Sequence, residues 1–342
     1  MLETKMFKTA TTDLAAAAEL IKKGQVVAFP TETVYGLGAD ATKESAVKKV
    51  FAAKNRPSDN PLIVTVANVE MVKRFVSEIP VIAQKLIANF WPGSLTIIMR
   101  YDEGALSPVV TGGLPTVAFR LPASDVTREF IALADTPIVG PSANTSGKPS
   151  PTTAQHVWHD LQGKIAGIID DGAARVGVES TVIDITTATP TILRPGAVTQ
   201  EALEAVIGEV NSEHRKVGID ETPKAPGMKY RHYAPDVPVY MVQSDKWEAA
   251  IIWAQQQLEP VGIMAPDAVI EANHLAGMDF VWSLGNDVTT ASAKLFAGLR
   301  YFDDRDNIET ILVHRFADQG VGRAYNNRLG KAASDQYFDV DM

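Results

Sequence analysis

Cysteine is absent from all 342 residues of the chain. Its absence excludes disulfides, cysteine nucleophiles and thiolate-bound metal sites. Long apolar runs are missing too: no segment reaches the length of a membrane span, and the first residues carry no apolar signal-peptide core. We therefore expect a cytoplasmic protein that does not insert into a membrane.

Basic residues are in the minority. The chain has 32 Lys and Arg against 41 Asp and Glu, which gives a formal net charge of −9. Non-specific nucleic-acid binders are normally basic, because counterion release drives their binding. The charge therefore disfavours that class, although it leaves room for a local basic patch.

Several common site motifs are incomplete. Gly147-Lys148 lacks the upstream glycine of a P-loop, and Gly36-Leu37-Gly38 is not followed by the last glycine of a dinucleotide-binding turn. Ser142 is not flanked by glycines, as the nucleophile of a hydrolase elbow would be. His156 and His159 lie one helical turn apart without a third ligand, so we predict no protein-held metal.

The stretch from Phe29 to Asp40 is rich in hydroxyls and carries a carboxylate, Glu32. It follows an apolar run, 25–29, that predicts a buried strand, and precedes helical spacing over 41–54. We interpret it as a long strand-to-helix connection with Asp40 or Thr42 as the helix N-cap. Such connections bind small polar ligands in α/β sheets, but an ordinary turn has the same composition.

Predicted strands and helices alternate along the rest of the chain. A polar, proline-punctuated segment then interrupts the pattern, and a second βαβα series follows it. We therefore predict an α/β protein with a large domain at 1–210, a linker at 211–236 and a small α/β domain at 237–342. The clearest helices are expected at 14–23, 125–134 and from a Thr199 N-cap to 207, and strands at 62–66, 95–99, 116–121, 165–169, 181–185 and 191–193.

Cationic side chains lie near the ends of several predicted elements. Lys54 and Arg56 lie at the C-terminal end of a predicted helix, Arg120 ends an apolar strand, and Arg194 precedes a Pro-Gly pair. With the hydroxyl-rich stretch 141–151, they fit an anionic ligand that carries phosphate and carboxylate groups. The alternative is that they complement a helix dipole and form structural ion pairs.

Six short motifs occur together in a characteristic order. With the segment HYAP at 232–235 and the second domain, they resemble the YrdC-like family, and within it the long two-domain threonylcarbamoyl-AMP synthases. The resemblance extends from about residue 14 to 332. The motifs are PTETVYGL at 30–37, KxRP at 54–57, NPL at 60–62, PSANxSG at 141–147, STVID at 180–184 and RPG at 194–196.

The resemblance implies an open, twisted YrdC-like α/β catalytic domain and a smaller Rossmann-like α/β C-terminal domain. It implies a nucleotidyltransferase that condenses L-threonine, bicarbonate or CO2, and ATP into threonylcarbamoyl-AMP and pyrophosphate, with Mg²⁺ arriving with ATP. A separate transferase complex would then modify tRNA beside the anticodon, and a weak tRNA contact is a further expectation. The alternatives are an RNA-binding module of the same fold, or a carbamoyl-AMP-forming maturation enzyme.

The resemblance also assigns site residues, with Arg120 as the partner of the threonine α-carboxylate. Many family members have histidine where Thr65 stands. In the linker, Tyr230 is expected to reach the ATP, with Tyr233 as the alternative. The implied threonine group is Thr33, Thr65, Arg120, Ser142 and Ser180; the ATP group is Lys54, Arg56, Asn60, Thr116, Asn144, Thr152, Arg194 and Tyr230; the catalytic residues are Lys54, Arg56, Ser142 and Asn144.

Overall fold

The computed structural model describes residues 2–58, 60–212, 223–224 and 232–340. It has mixed α/β architecture with helices around twisted sheets, which confirms the predicted fold class. The chain divides into two compact units. The first comprises Met1–Ser146, Pro151–Arg175 and Glu179–Tyr230, and the second comprises Gly147–Ser150, Val176–Val178 and Arg231–Met342.

The first unit contains a mixed sheet that, in the described residues, has the order β1-β8-β2-β3-β7-β4-β6-β5-β9-β10-β11. Its strands are β1 Lys5–Phe7, β2 Val27–Phe29, β3 Gly36–Asp40, β4 Ile63–Thr65, β5 Leu95–Arg100, β6 Thr116–Arg120, β7 Ile138–Val139, β8 Gly167–Ile169, β9 Thr181–Asp184, β10 Thr191–Arg194 and β11 Asn211–Ser212. Its helices are α1 Thr11–Lys22, α2 Glu44–Lys54, α3 Val69–Val72, α4 Val81–Phe90, α5 Pro108–Thr111, α6 Asp125–Ala134, α7 Ala154–Leu161 and α8 Gln200–Ile207.

Apolar residues at helical spacing attach the helices to this sheet. In α1, Leu14, Ala17, Ala18 and Ile21 are buried, and they lie on one face because residues three and four apart are neighbours on a helix. Burying a side chain the size of Leu14 stabilises the fold by about 1.5–3 kcal/mol. Truncating it to alanine would cost about 2–5 kcal/mol, since a cavity would remain.

The sequence predicts that the stretch after β2 is one long loop, and the structure shows that this prediction is wrong. Gly36–Asp40 form β3, which pairs antiparallel with β2 and with β7. The glycines allow this pairing: a Cβ on Gly36 would lie 2.4 Å from the Phe29 ring, and one on Gly38 would lie 3.0 Å from the Val27 carbonyl oxygen. The loop therefore shortens to residues 30–35.

Helix starts also differ from the prediction. Helix α2 begins at Glu44 after Lys43, so neither Asp40 nor Thr42 is its N-cap. Asp40 instead accepts hydrogen bonds from the Thr42 backbone N–H at 3.0 Å and the Thr136 hydroxyl at 2.9 Å. Helix α1 begins at Thr11, earlier than predicted, and Ala10 occupies its N-cap position. Helix α6 and the Thr199 cap of α8 agree with the prediction.

The second unit contains a parallel sheet of order β12-β15-β13-β14 in the described residues. Its strands are almost uniformly apolar, as expected for a parallel sheet covered by helices. The strands are β12 Val239–Val242, β13 Gly262–Ala265, β14 Val281–Ser283 and β15 Ile311–His314; the helices are α9 Trp247–Gln255, α10 Asp267–Ala272, α11 Val288–Asp303 and α12 Val321–Ala332.

Two short pieces from earlier in the sequence, Gly147–Ser150 and Val176–Val178, belong to this second unit. Lys148 forms ion pairs with Asp303 at 2.9 Å and Asp236 at 2.6 Å, and Arg300 donates to the Pro149 carbonyl oxygen at 2.6 Å. Gly177 lies so close to α11 that a Cβ would be 2.3 Å from the Ala293 Cα. These contacts are internal to the second unit.

The predicted linker, 211–236, lies largely outside the described residues, so its limits stay a prediction. Asn211–Ser212, predicted to begin it, form β11 and pair with β10 in the first unit. The described helices include none that is long and apolar enough to cross a membrane.

Candidate active site

Arg120 ends β6 and is only 8% exposed. Its neighbours are fixed by strand register: Thr65 is its parallel partner on β4, and Thr96 is its antiparallel partner on β5. A cation is thereby held at a sheet position flanked by two buried hydroxyl-bearing residues. Arg120 and Thr65, both predicted to contact threonine, are therefore neighbours because of the register between β4 and β6.

The Arg120 guanidinium contacts the loop that follows β2. One terminal nitrogen donates to the Thr33 hydroxyl at 2.8 Å, the other to Glu32 Oε1 at 2.7 Å, and Nε donates to the Gly93 carbonyl oxygen at 3.4 Å. The Glu32 and Arg120 side chains are 9% and 10% exposed, so this ion pair is buried. Glu32, which the sequence leaves without a role, is the partner of the predicted carboxylate-binding arginine.

Other elements also hold the Glu32 carboxylate. Oε1 accepts from the Ser94 hydroxyl at 3.1 Å, and Oε2 accepts from the Ala123 backbone N–H at 3.1 Å. Burial would raise the pKa of Glu32, but the charge and hydrogen bond of Arg120, together with the Ala123 N–H, outweigh it and keep that pKa below its ordinary value. Glu32 is therefore an anion at neutral pH.

In the loop after β2, the contacts of the Thr31 and Thr33 hydroxyls determine which of the two donates to the other. Thr31 donates to the Val34 carbonyl oxygen at 2.6 Å, which uses its only hydroxyl hydrogen. The 2.8 Å contact between the Thr31 and Thr33 hydroxyls must then have Thr33 as its donor. Thr33 therefore accepts from Arg120 and donates to Thr31.

Ser180 lies immediately before β9 and has no exposed surface. Its hydroxyl is 2.7 Å from that of Thr96, the neighbour of Arg120 on β5. Arg194 donates from Nε to the Ser180 carbonyl oxygen at 3.0 Å and from a terminal nitrogen to its hydroxyl at 3.1 Å. The structure thus joins a residue of the predicted ATP group to one of the predicted threonine group.

Lys54 ends α2 and points inward, with 1% of its surface exposed. Its ammonium donates to the Ser142 carbonyl oxygen, and to the carbonyl oxygen and Oδ1 of Asn144 at 2.6 and 3.4 Å. The Ser142 hydroxyl also donates to Asn144 Oδ1, at 2.6 Å. Lys54, Ser142 and Asn144 therefore form one cluster.

The other predicted ATP residues follow α2 or begin β6. Arg56 is half-buried and donates to the Pro61 carbonyl oxygen at 3.4 Å. Asn60 is 1% exposed, and its Oδ1 has no hydrogen-bond partner among the described residues. An unpaired buried acceptor is costly, and a ligand donor would satisfy it. Thr116, the first residue of β6, is half-buried.

Thr152 follows Pro151, whose carbonyl oxygen accepts from the Tyr35 backbone N–H at 2.8 Å. Its carbonyl oxygen accepts from the Ala174 N–H at 2.8 Å, and its own N–H donates to His156 Nδ1 at 3.2 Å. Tyr230 lies outside the described residues, so its role stays a prediction. Tyr233 packs against Phe296 in the second unit, with ring centroids 5.2 Å apart.

Gly140 lies in the chain between a contact with Thr65, the neighbour of Arg120, and the cluster of Lys54, Ser142 and Asn144. A Cβ on Gly140 would lie 2.4 Å from the Thr65 hydroxyl oxygen, so glycine is needed where the chain after β7 passes this side chain. Two residues later, Ser142 forms a bridge to Gly36 at the start of β3. The sequence does not indicate Thr96 or this role of Gly140. A single polar residue inside the apolar run of β5 was the available signal for Thr96.

A cavity of about 420 Å³ opens beside Glu32 in the first unit. It is lined by the loop after β2, the start of α6 and the loop after β8, including Glu32, Ser124, Asp171 and Arg175. Burial raises the pKa of Asp171 above its ordinary value. In the described part of the chain, no three His, Cys, Asp or Glu side chains come together in a way that could hold a metal ion.

Two family models match the chain. The Sua5–YciO–YrdC model, described as telomere recombination, matches residues 19–196. A model described as the threonylcarbamoyl-AMP synthase C-terminal domain matches residues 198–334. The two matches are consecutive and cover most of the chain.

Two threonylcarbamoyl-AMP synthases are similar to this chain over nearly their whole length. A threonylcarbamoyl-AMP synthase of Bacillus subtilis strain 168 is 45% identical over 324 residues, which cover 94% of this chain and 92% of that protein. One of Pyrococcus abyssi is 45% identical over 331 residues, which cover 95% of each. A crystal structure of P. abyssi Sua5 complexed with L-threonine superposes with a TM-score of 0.89 at 42% identity, covering 99% of both chains.

Proposed function

The chain belongs to the YrdC-like family, in the long two-domain branch of the threonylcarbamoyl-AMP synthases, and on this premise we propose that it condenses L-threonine, bicarbonate or CO2, and ATP. The products are threonylcarbamoyl-AMP and pyrophosphate, which makes the activity that of a nucleotidyltransferase. The P. abyssi relative binds L-threonine, and this supports the same substrate here.

Recognition of threonine is the part that the geometry supports best, and the position of Arg120 carries it. A buried guanidinium lies among the hydroxyl-bearing residues Thr33, Thr65 and Thr96. Arginine binds carboxylates through paired N–H groups, and such charge-assisted bonds are strong where water is excluded. Arg120 binds the α-carboxylate, while the nearby hydroxyls, Ser180 included, contact the rest of the amino acid.

The first chemical step joins the threonine nitrogen to carbon. The deprotonated amine attacks the carbon of CO2, its proton leaves to solvent, and a carbamate anion forms. In free threonine the amine is mostly protonated near physiological pH, because the adjacent carboxylate stabilises the ammonium. The amine must therefore lose a proton, as well as be positioned, before it attacks.

In the second step a carbamate oxygen attacks the α-phosphorus of ATP, and the bond to the leaving pyrophosphate breaks. Such transfers depend mainly on alignment and charge neutralisation, not on a protein nucleophile. Arg56 and Arg194 supply positive charge for the phosphates, and Lys54 adds its charge while holding the Ser142–Asn144 segment. Mg²⁺ enters as the complex with ATP, because it commonly binds through substrate phosphates.

Water exclusion favours this chemistry, since a carbamate and a mixed anhydride both hydrolyse. Most of the described candidate residues are at least nine-tenths buried, which supports a site closed to bulk water. These buried residues are Thr33, Lys54, Asn60, Thr65, Arg120, Asn144, Thr152, Ser180 and Arg194.

The product must be used by a second enzyme. Threonylcarbamoyl-AMP is an activated acyl donor, and we propose that a cytoplasmic transferase complex moves its threonylcarbamoyl group to the adenosine beside the anticodon of tRNA. The net charge of −9 favours, at most, a weak direct contact with tRNA.

A pyrophosphate-release assay tests the proposal. Release is expected only when ATP, Mg²⁺, threonine and bicarbonate are all present, with threonylcarbamoyl-AMP accumulating in equal amount. Release that does not depend on threonine or on bicarbonate would overturn the assignment. If carbamoyl phosphate replaced threonine as the required substrate, the carbamoyl-AMP chemistry would apply instead. Salt-sensitive tRNA binding without any turnover would indicate an RNA-binding module.

A further inference from the structure

We propose that Glu32 is a positioning residue: it fixes the orientation of Arg120 and leaves the guanidinium one pair of N–H groups for the carboxylate of the amino acid. This inference rests on the proposed function, because it assumes that Arg120 receives threonine. It assigns a task to the one charged residue of the loop after β2.

Counting donors shows what Glu32 leaves available. A guanidinium has five N–H groups. In Arg120 three of these are engaged, by the Gly93 carbonyl oxygen, the Thr33 hydroxyl and Glu32, so two remain. Thr33 and Glu32 use one hydrogen on each terminal nitrogen, and each of these nitrogens therefore keeps one. Two such hydrogens match the two oxygens of a carboxylate.

Glu32 can fix Arg120 because Glu32 is itself fixed from two other elements. Ser94, just before β5, holds Oε1, and the Ala123 N–H, just before α6, holds Oε2. The carboxylate therefore does not follow the guanidinium if the latter rotates. Thr33 is equally constrained, because its hydrogen is directed to Thr31 and it faces Arg120 as an acceptor.

The charge of Glu32 matters as well as its shape. Without it, a buried guanidinium would lack a counter-ion in the empty site and would favour any anion, including inorganic phosphate. With Glu32 in place the pair is neutral, so a ligand that brings both a carboxylate and an ammonium keeps the site neutral. The pair thus favours a zwitterionic amino acid over a simple anion.

The cavity of about 420 Å³ makes the proposal testable by chemical rescue, because Glu32 is part of its lining. Truncation of Glu32 to alanine would leave an empty space where the carboxylate was, next to this cavity. A small carboxylate such as formate or acetate can then enter and accept from Arg120, Ser94 and Ala123. No comparable effect is expected in the wild-type protein, where the position is filled.

The experiment compares Glu32→Gln, Glu32→Ala and a matched control, Asp40→Asn. Asp40, at the end of β3, is also a buried carboxylate, but it bonds to Thr42, Thr136 and Lys43 and contacts no candidate site residue that the structure describes. Steady-state KM values for threonine and for ATP are measured by pyrophosphate release. Threonine binding is measured separately by calorimetry, with and without formate.

We expect Glu32→Gln to raise the KM and the Kd for threonine at least about tenfold, since a charge-assisted bond is lost, while the KM for ATP changes little. In Glu32→Ala, formate should recover threonine affinity with a saturating dose dependence. Asp40→Asn should leave both KM values unchanged even where it lowers the melting temperature.

Three results would overturn the proposal. One is wild-type threonine affinity in Glu32→Gln. Another is an equal change of the threonine and ATP KM values, which a general structural defect would give. The third is an absence of formate rescue in a folded Glu32→Ala protein. If the wild-type chain itself released pyrophosphate without threonine, the proposed function would fail instead, and the two failures are therefore distinguishable.

Discussion

Arg194 and Ser180 are joined by two hydrogen bonds, from Nε to the Ser180 carbonyl oxygen at 3.0 Å and from a terminal nitrogen to its hydroxyl at 3.1 Å. Arg194 ends β10, where an irregularity in the pairing with β9 sets it opposite Val182. A cation expected at the phosphates thus also holds a hydroxyl expected at threonine. The two substrate groups are consequently not independent.

Substitution of Arg194 should therefore affect both substrates. Arg194→Lys keeps the charge but cannot make the planar, two-point contact with Ser180. We expect the KM values for ATP and for threonine both to rise, each by at least about tenfold, since one charged hydrogen bond is worth about 1.5–3 kcal/mol and about 1.4 kcal/mol is a factor of ten. Initial rates over a grid of both substrate concentrations measure this. Arg100→Lys, on an exposed residue at the end of β5, is the control. A change confined to the ATP KM would contradict the coupling.

Lys54 should be important for stability as well as for activity. Lys54→Met removes the donor to the Ser142 and Asn144 carbonyl oxygens. We expect the free energy of unfolding to fall by about 1–3 kcal/mol and pyrophosphate release to be largely lost. Urea denaturation and the coupled assay measure the two effects. Lys48→Met removes only an exposed ion pair on the same helix and should change neither. Full stability in Lys54→Met would refute the structural role.

Asn60, unlike Lys54, should affect activity without affecting stability. Its buried Oδ1 has no partner in the described part of the chain, so Asn60→Ala removes an unsatisfied acceptor as well as a side chain. We expect little change in the free energy of unfolding, because relief of that penalty offsets the cavity. The KM for ATP should nevertheless rise about tenfold if a nucleotide donor satisfies this oxygen. Thermal denaturation and ATP titration separate the two effects, and a loss of stability with unchanged ATP kinetics would argue against a ligand contact.

His314 should make stability depend on pH in the second unit. Burial lowers the pKa of His314 from 6.5 to about 4, and Trp247 Nε1 donates to its Nδ1 at 2.7 Å, which requires a neutral ring. Between these values the unfolded chain binds the additional proton, so stability falls as pH is lowered from 6.5 and the loss is complete near 4. The full effect is about 3 kcal/mol.

Urea denaturation from pH 6.5 to 5 measures this slope above the ordinary carboxylate range. His314→Gln keeps an acceptor for Trp247 but cannot be protonated, and it should remove much of the slope. His159→Gln, at a side chain that is 66% exposed, should leave the slope intact. Equal slopes in the wild type and His314→Gln would contradict the assignment.

The sequence predicts elements where the local signal and the tertiary structure agree. Helix α6 has a capping serine and a clear apolar face, and its limits match the prediction. Gly36–Asp40 were misread because strand propensity is low for glycine, and the pairing depends on the close approach of Phe29, 7–11 residues away in sequence. Such a contact leaves no local signal.

The candidate site shows the same limit. Residue types at the ends of elements indicated Arg120, Lys54 and Arg194. Their partners could not be inferred, because Glu32 meets Arg120 across 88 residues of sequence, and Lys54 meets Asn144 across 90. These pairings depend on the strand order of the sheet, which crosses over several times and has no short sequence signature.

The second compact unit is assembled from three separate pieces of chain, two of which are only a few residues long. A chain ended at residue 210 would keep Lys148 and Pro149 but lose Asp303 and Arg300, to which they bond. Truncation would therefore expose a cation and a carbonyl group in addition to removing a domain. Any exchange of C-terminal domains between relatives would have to transplant these two inserts together with the main segment.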